Sequence, residues 1–99
     1  FPNVLIEAMA CKLPVIASDC KSGPREILAP TTDCSWQTKE LEFAEYGVLV
    51  PPEEEELLSR AILKVLKENN LSESYSAKGY NRAKDFTIQN MLSKWKKYL

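Results

Sequence analysis

Asn3 and Glu7 stand four residues apart in the segment Asn3-Val4-Leu5-Ile6-Glu7-Ala8-Met9-Ala10-Cys11. In a helix that spacing places them on one face, one turn from each other. The first turn of such a helix carries backbone N–H groups without intrahelical partners, at the positive end of the peptide dipoles, a combination suited to a diphosphate. A carboxylate one turn further along can accept hydrogen bonds from both hydroxyls of a ribose, as acidic residues do in other nucleotide-binding α/β folds. Removed from water without partners, a carboxylate costs on the order of several kcal/mol. Spacing alone leaves two kinds of partner open for Glu7: a bound nucleotide, or neighbouring backbone and a lysine.

The elements that must hold this pair read as an alternating chain. Residues 3–11 form a helix with Asn3 as its N-cap, apolar on almost every side and therefore expected to be buried in a larger body. Residues 13–17, entered through Pro14 and containing Val15 and Ile16, read as a buried parallel strand. After a polar loop over 18–23 comes a helical turn at 24–28, with Gly23 at its cap, Pro24 at its first position and Glu26 near its start. Residues 29–46 read as irregular, with a turn at 30–33 and a brief helix over 39–44. Residues 47–50 form a second apolar strand, stopped by Pro51-Pro52.

Three helices follow. Over 53–68, Leu57, Leu58, Ala61, Ile62, Val65 and Leu66 recur at helical spacing, with glutamates at the N-terminal end and Lys64 and Lys67 toward the other. Asn69-Asn70 is expected to close this helix. Residues 72–84 form the next, with Tyr75, Tyr80 and Ala83 inward. Thr87 is read as the cap of a last helix striped by Ile88, Met91, Leu92, Trp95 and Leu99. Alternation of helices with short apolar strands implies an α/β fold, part of a Rossmann-like parallel sheet with a helical C-terminus. Two strands do not complete such a sheet, so the remaining strands are expected upstream of Phe1, and residues 1–99 read as the C-terminal portion of a larger domain.

Bulk properties narrow the classes. With 44% apolar and 27% charged residues, the 99-residue chain is globular in composition. A net charge of -1 gives no electrostatic case for nucleic acid. Acids gather from Glu40 to Glu56 with no Lys or Arg between them, and bases from Lys78 to Lys97. Both stretches read as solvated helix faces, the basic one with peripheral contact to an anionic membrane as its alternative. Three widely spaced cysteines, Cys11, Cys20 and Cys34, and the absence of histidine argue against zinc and fit reduced thiols. No apolar run approaches the roughly 20 residues of a membrane span.

The run from Phe1 to Ile16, Phe1-Pro2-Asn3-Val4-Leu5-Ile6-Glu7-Ala8-Met9-Ala10-Cys11-Lys12-Leu13-Pro14-Val15-Ile16, resembles the donor-site signature of the GT4 retaining glycosyltransferases, E-G-F-P-N-V-x-x-E-A-M-A-x-G-x-P-V-I. Phe1 falls at its third position and Glu7 at the second glutamate of its E-x7-E pair. The first glutamate and the following glycine would precede Phe1. Ser18-Asp19-Cys20 with Gly23-Pro24-Arg25-Glu26-Ile27-Leu28 is similar to the loop and helix that follow in the family, and Tyr46 to Pro52 to its G-x-L-V-P strand. Phe86-Thr87 with Trp95 and Tyr98 is similar to its closing helix.

The resemblance implies a GT-B fold, two Rossmann-like domains facing across a cleft, of which this chain supplies the C-terminal half of the donor-binding domain. It implies transfer of a hexose or N-acetylhexosamine, with retention, from a nucleotide-diphosphate sugar (UDP as the expected nucleotide) to a glycan or lipid-linked glycan. By the same resemblance Glu7 would bind the ribose hydroxyls, backbone N–H groups of Asn3 and Val4 would face the diphosphate, and the backbone of Phe1 would lie near the donor sugar. The departing diphosphate would be stabilised by helix N–H groups and by basic side chains from upstream, with no cofactor and no obligatory metal. The partners implied are the donor, the acceptor and the N-terminal part of the same protein; a cytoplasmic location is expected, with peripheral contact at the inner face of the membrane as its alternative. The chain by itself is expected to catalyse nothing. Two alternatives stand beside this reading: a nucleotide-sugar epimerase of the same fold, and a non-enzymatic interaction module.

Lys12 departs from the signature, which has glycine there. Glycine just past a helix end supplies a left-handed conformation cheaply, and lysine in the same geometry costs about 1 kcal/mol. Elsewhere, Arg25 reads as a solvated residue of a helix start, with a phosphate contact as its alternative. Cys11 and Cys20 read as small core residues. Trp36 and Phe43 read as local packing, with acceptor contact as their alternative.

Overall fold

The computed structural model describes residues 3–20 and 23–96, with the side chains of 4–20 and 23–86. Its elements are α1 (Asn3–Ala10), β1 (Ile16–Ser18), α2 (Pro24–Leu28), β2 (Glu42–Phe43), β3 (Val48–Val50), α3 (Glu55–Lys67) and α4 (Asn69–Lys96). The fold is mixed α/β, as the alternation of elements implies.

Pro14 and the apolar run after it lead into β1, an edge strand that pairs in parallel with the central β3 through Ile16 opposite Val48, Ala17 opposite Leu49 and Ser18 opposite Val50. The ladder is extended at both ends, by the Val48 N–H donating to the Val15 carbonyl at 3.0 Å and the Asp19 N–H to the Val50 carbonyl at 2.8 Å. Period-two alternation then sorts the side chains. Val15 and Leu49 join Met9, Ile27, Leu28, Ala29 and Ala83 in a core on one face. Val48 and Val50 join Ala61, Val65 and Tyr75 on the other, with Ile16 packed against them. Helices therefore cover both faces, as a parallel strand pair requires.

The brief helix read over 39–44 is a strand instead. β2 pairs antiparallel with the far edge of β3, Glu42 opposite Leu49 and Phe43 opposite Val48, so the sheet order is β1-β3-β2. The stretch Lys39-Glu40-Leu41-Glu42-Phe43-Ala44-Glu45 has the composition of a helix, but tertiary pairing overrides that weak preference. Gly47 closes the hairpin, with the Ala44 N–H donating to its carbonyl at 2.9 Å.

The helical boundaries after residue 68 also differ from expectation. Glu68 takes an extended conformation after α3, and Asn69-Asn70 open α4 rather than close the helix before it. α4 runs without a break to Lys96, so Thr87 lies within it and caps nothing. No Gly or Pro stands between Asp85 and Asn90 to stop it. The stripe of Ile88, Met91, Leu92, Trp95 and Leu99 lies outside the described side chains. α4 joins the two cores: Tyr75 packs with the α3 side and Ala83 with the α1 side. Tyr80, expected inward, is half-buried.

α1 buries Met9 fully and Leu5, Ile6 and Ala8 partly. It ends at Lys12, whose φ of 63° is left-handed. The Lys12 N–H donates to Met9 and the Leu13 N–H to Ala8, at 3.0 and 3.2 Å, the paired bonds of a Schellman stop. The glycine geometry is thus kept although the residue is lysine. The chain reverses there into β1. α1 therefore runs down the face of the sheet and β1 back up it, which brings the N-terminus of α1 to the edge where β1 and β3 end and α2 and α3 begin.

Candidate functional site

In open α/β sheets a ligand sits in the crevice beyond the carboxyl ends of the strands. In this chain that edge gathers the first turn of α1, Ser18 at the end of β1 with Asp19 after it, the start of α2 and the start of α3. Val4 in the first turn of α1 is 78% exposed. Glu7 is exposed one turn along, and among the described residues no cation pairs with its carboxylate. Asn3 contributes the first helical residue, its side chain lying outside those described. Phe1 lies outside the described residues altogether. Among the described residues there is no group of three or more His, Cys, Asp or Glu that could hold a metal ion.

Behind this edge lies a cluster that sequence reasoning missed. Arg25 and Asp19 are buried, 2% and 0% exposed. The Arg25 guanidinium donates to both Asp19 oxygens, from Nη2 to Oδ2 at 2.7 Å and from Nε to Oδ1 at 3.3 Å. It donates to both Glu42 oxygens, from Nη2 to Oε1 at 2.8 Å and from Nη1 to Oε2 at 3.1 Å. Its remaining N–H, on Nη1, reaches Thr32 Oγ1 at 2.9 Å. All the donors of the guanidinium are thus used. Hydrogen bonding to Glu42, then to Asp19, holds its pKa above the ordinary arginine value although burial opposes this. Arg25 is neither the solvated helix-start residue expected nor a phosphate ligand, because no donor is left over. Asp19 is completed by the Thr38 N–H at 2.6 Å, and its carbonyl accepts from Gln37 Nε2 at 2.9 Å. The cluster thereby pins the irregular stretch before β2 onto the end of β1.

The cluster was illegible because its members are six, seven and seventeen residues from Arg25, spacings that no local periodicity marks. One signal was available: Asp19 ends an apolar strand and Arg25 lies in the first turn of the helix after it. Trp36 packs on the same group, with its ring 5.0 Å from the guanidinium carbon while remaining 57% exposed. Phe43 is 43% exposed beside Lys64.

Two further expectations are corrected. Cys11 and Cys20 are exposed. Cys11 follows the last buried residue of α1, and Cys20 lies past the end of β1, beside the inward Asp19. Arg82, counted among solvated bases, instead donates from Nε to the Ile27 carbonyl and from Nη2 to the Glu26 carbonyl, both at 3.1 Å. It thereby satisfies the open carbonyls at the end of α2.

Charge separates the two sides of the strand edge. On the α3 side a cleft of about 260 Å³ is lined by Ile16, Ser18, Val50, Pro51 and Leu58 with Glu53, Glu54 and Glu55. Those carboxylates suit the dipole of α3 but repel an anionic ligand.

The chain matches the family model described as "Glycosyl transferases group 1" over residues 1–82. It is 37% identical to an uncharacterized glycosyltransferase of Methanocaldococcus jannaschii over 96% of this chain and 27% of the relative. It is 32% identical to an exopolysaccharide phosphotransferase of Streptomyces coelicolor over 96% of this chain and 9% of the relative. It is 31% identical to the N-acetylgalactosamine-N,N'-diacetylbacillosaminyl-diphospho-undecaprenol 4-alpha-N-acetylgalactosaminyltransferase of Campylobacter jejuni over the whole of this chain and 24% of the relative. The chain thus spans about a quarter or less of the length of these relatives. No solved structure matches it significantly.

Proposed function

Since the chain belongs to the group 1 glycosyl transferases, we propose that it supplies part of the nucleotide-sugar site of a retaining transferase of the GT4 type. The observation that carries this reading is the exposed Glu7, one turn inside the open first turn of α1, at the edge where the strands end. N–H groups of Asn3 and Val4 hold the diphosphate of a UDP-sugar, and Glu7 accepts the ribose hydroxyls. As the sugar leaves, charge grows on the β-phosphate, and the dipole of α1 stabilises it together with basic side chains from outside this chain; no metal is required. On this reading residues 1–99 form the C-terminal portion of the donor domain, and the resemblance alone assigns the backbone of Phe1, outside the described residues, to the donor sugar.

The sugar moved is a hexose or N-acetylhexosamine, and the acceptor is a glycan or a lipid-linked glycan of a cell-surface polysaccharide. The Campylobacter relative, whose name specifies a diphospho-undecaprenol acceptor, supports that class. The enzyme works in the cytoplasm, with peripheral contact at the inner face of the membrane as the alternative. Among the described residues no helix is long and apolar enough to cross a membrane. The family and the glycosyltransferase relatives favour neither the epimerase nor the interaction module.

The test is the full-length enzyme incubated with UDP-hexoses and UDP-N-acetylhexosamines and an undecaprenyl-diphosphate-linked acceptor, with NMR of the new glycosidic bond. Transfer with the donor's anomeric configuration kept is expected, and none from the 99-residue chain alone. Transfer with inversion, or epimerised donor without transfer, would overturn the proposal.

A further inference from the structure

The Arg25 cluster sits where the donor edge is built but touches none of the residues assigned to the donor. Asp19 is the first residue past β1 and its N–H still belongs to the sheet ladder. Arg25 is in the first turn of α2. Their two hydrogen bonds fasten the end of a strand to the start of the next helix across the connection at that edge. Glu42 anchors the same guanidinium to β2, and β2 is paired to β3. Arg25 is therefore the point at which β1, β2 and α2 are held in one arrangement. A charged group desolvated to this degree and saturated with acceptors has one low-energy geometry, because moving it would strand buried charge.

We propose that Arg25 is a positioning residue for the nucleotide. Acting through Asp19 and Glu42, it fixes the end of β1 and the first turn of α2 as the wall of the crevice into which the first turn of α1 opens. The inference rests on the donor-site reading above. Sites of this kind depend on placement: a shift of about 1 Å from a change outside the reacting groups can cost up to about a hundredfold.

The experiment is calorimetric titration of the full-length enzyme with UDP, GDP and ADP, taking as probe whichever binds the wild type most tightly. Glu7→Gln, Arg25→Lys and Glu42→Gln are then titrated with that probe, each below its own melting transition. Arg25→Lys keeps the charge and loses the planar fork; Glu42→Gln keeps the shape and loses one charge, so it remains foldable if the lysine variant is not. The expected result is a Kd raised about tenfold in both cluster variants, with stoichiometry unchanged. A purely structural role would instead lower the stoichiometry, as the fraction of folded protein falls, and leave Kd where it was; that result overturns the positioning role. If Glu7→Gln weakens binding while the folded cluster variants do not, only the positioning role fails. If Glu7→Gln leaves Kd unchanged, or no diphosphate binds the wild type, the donor-site reading fails and the inference with it.

Discussion

Arg25 Nη2 lies 2.7 Å from Asp19 Oδ2, and the two side chains are 2% and 0% exposed. Such a pair is costly to break from one side, because the survivor is left charged and buried. Arg25→Met is expected to lower unfolding stability by about 3 kcal/mol or more, read as the shift in urea midpoint at constant slope. The Thr38 N–H still reaches Asp19 in that variant, so the loss stays below the full desolvation of a carboxylate. A loss under about 1 kcal/mol would show that the pair contributes no more than an exposed one.

Lys12 carries a left-handed backbone, φ 63°, at the stop of α1. A non-glycine residue there costs roughly 1–2 kcal/mol. Its ammonium also lies 5.0 Å from the Tyr80 ring centroid, a contact that partly offsets the strain and that Lys84 duplicates at 4.4 Å. Lys12→Gly should therefore stabilise the protein by about 0.5 kcal/mol net, seen as a small rise in thermal midpoint. A fall in midpoint would mean that the Tyr80 contact outweighs the strain.

Two glycines make an opposed pair. A Cβ on Gly47 would lie 2.9 Å from Val15 Cγ2 and 3.0 Å from the Val15 carbonyl oxygen, while one on Gly79 meets Met9 at 3.6 Å, an ordinary contact. Gly47→Ala should destabilise by about 1–3 kcal/mol, since the strand backbone cannot give way. Gly79→Ala, inside α4, should stabilise by about 0.5–1 kcal/mol. Denaturant curves of the two variants moving in the same direction would contradict this packing.

Tyr75 is buried and donates from its hydroxyl to the Ala44 carbonyl at 2.9 Å, and desolvation raises its pKa above the ordinary tyrosine value of 10.0. The folded protein thus keeps a phenol proton that the unfolded chain releases first as pH rises. The stabilisation is complete below about pH 10 and is lost above it. Tyr75→Phe should cost about 1 kcal/mol at neutral pH and make the alkaline decline shallower. Tyr46, raised by desolvation and then by Glu45, keeps part of that decline in the variant. An unchanged alkaline slope would show that Tyr75 does not titrate with unfolding.

Much of this architecture was legible because its signals are local. Val15 and Ile16 after Pro14, Gly23-Pro24 before α2, and the spacing of Leu57, Ala61 and Val65 each report on neighbours within a few residues. The Lys12 stop was not settled by sequence, because lysine replaces the glycine such a geometry favours; the structure shows the left-handed conformation kept, φ 63°. β2 was not legible, since Glu42 and Phe43 are a strand only by virtue of β3. Nor was the Arg25 cluster, whose carboxylates come from just past the end of one strand and from the start of another. The unbroken α4 was misread at Thr87 because a good capping residue is not a cap unless the chain changes direction there. For the candidate site, spacing placed Asn3 and Glu7 on one helix, and the structure adds that Glu7 is exposed and at which edge α1 begins.

Glu7 carries the account, and donor affinity with turnover in Glu7→Ala and Glu7→Gln of the full-length enzyme tests it most directly. On the proposed assignment, Ala removes both ribose hydrogen bonds and Gln replaces a carboxylate acceptor with a neutral amide; each should weaken the nucleotide-sugar and lower turnover, by about tenfold or more for Ala, with thermal stability nearly unchanged because the side chain is exposed. Donor affinity and turnover equal to those of the wild type would contradict the assignment.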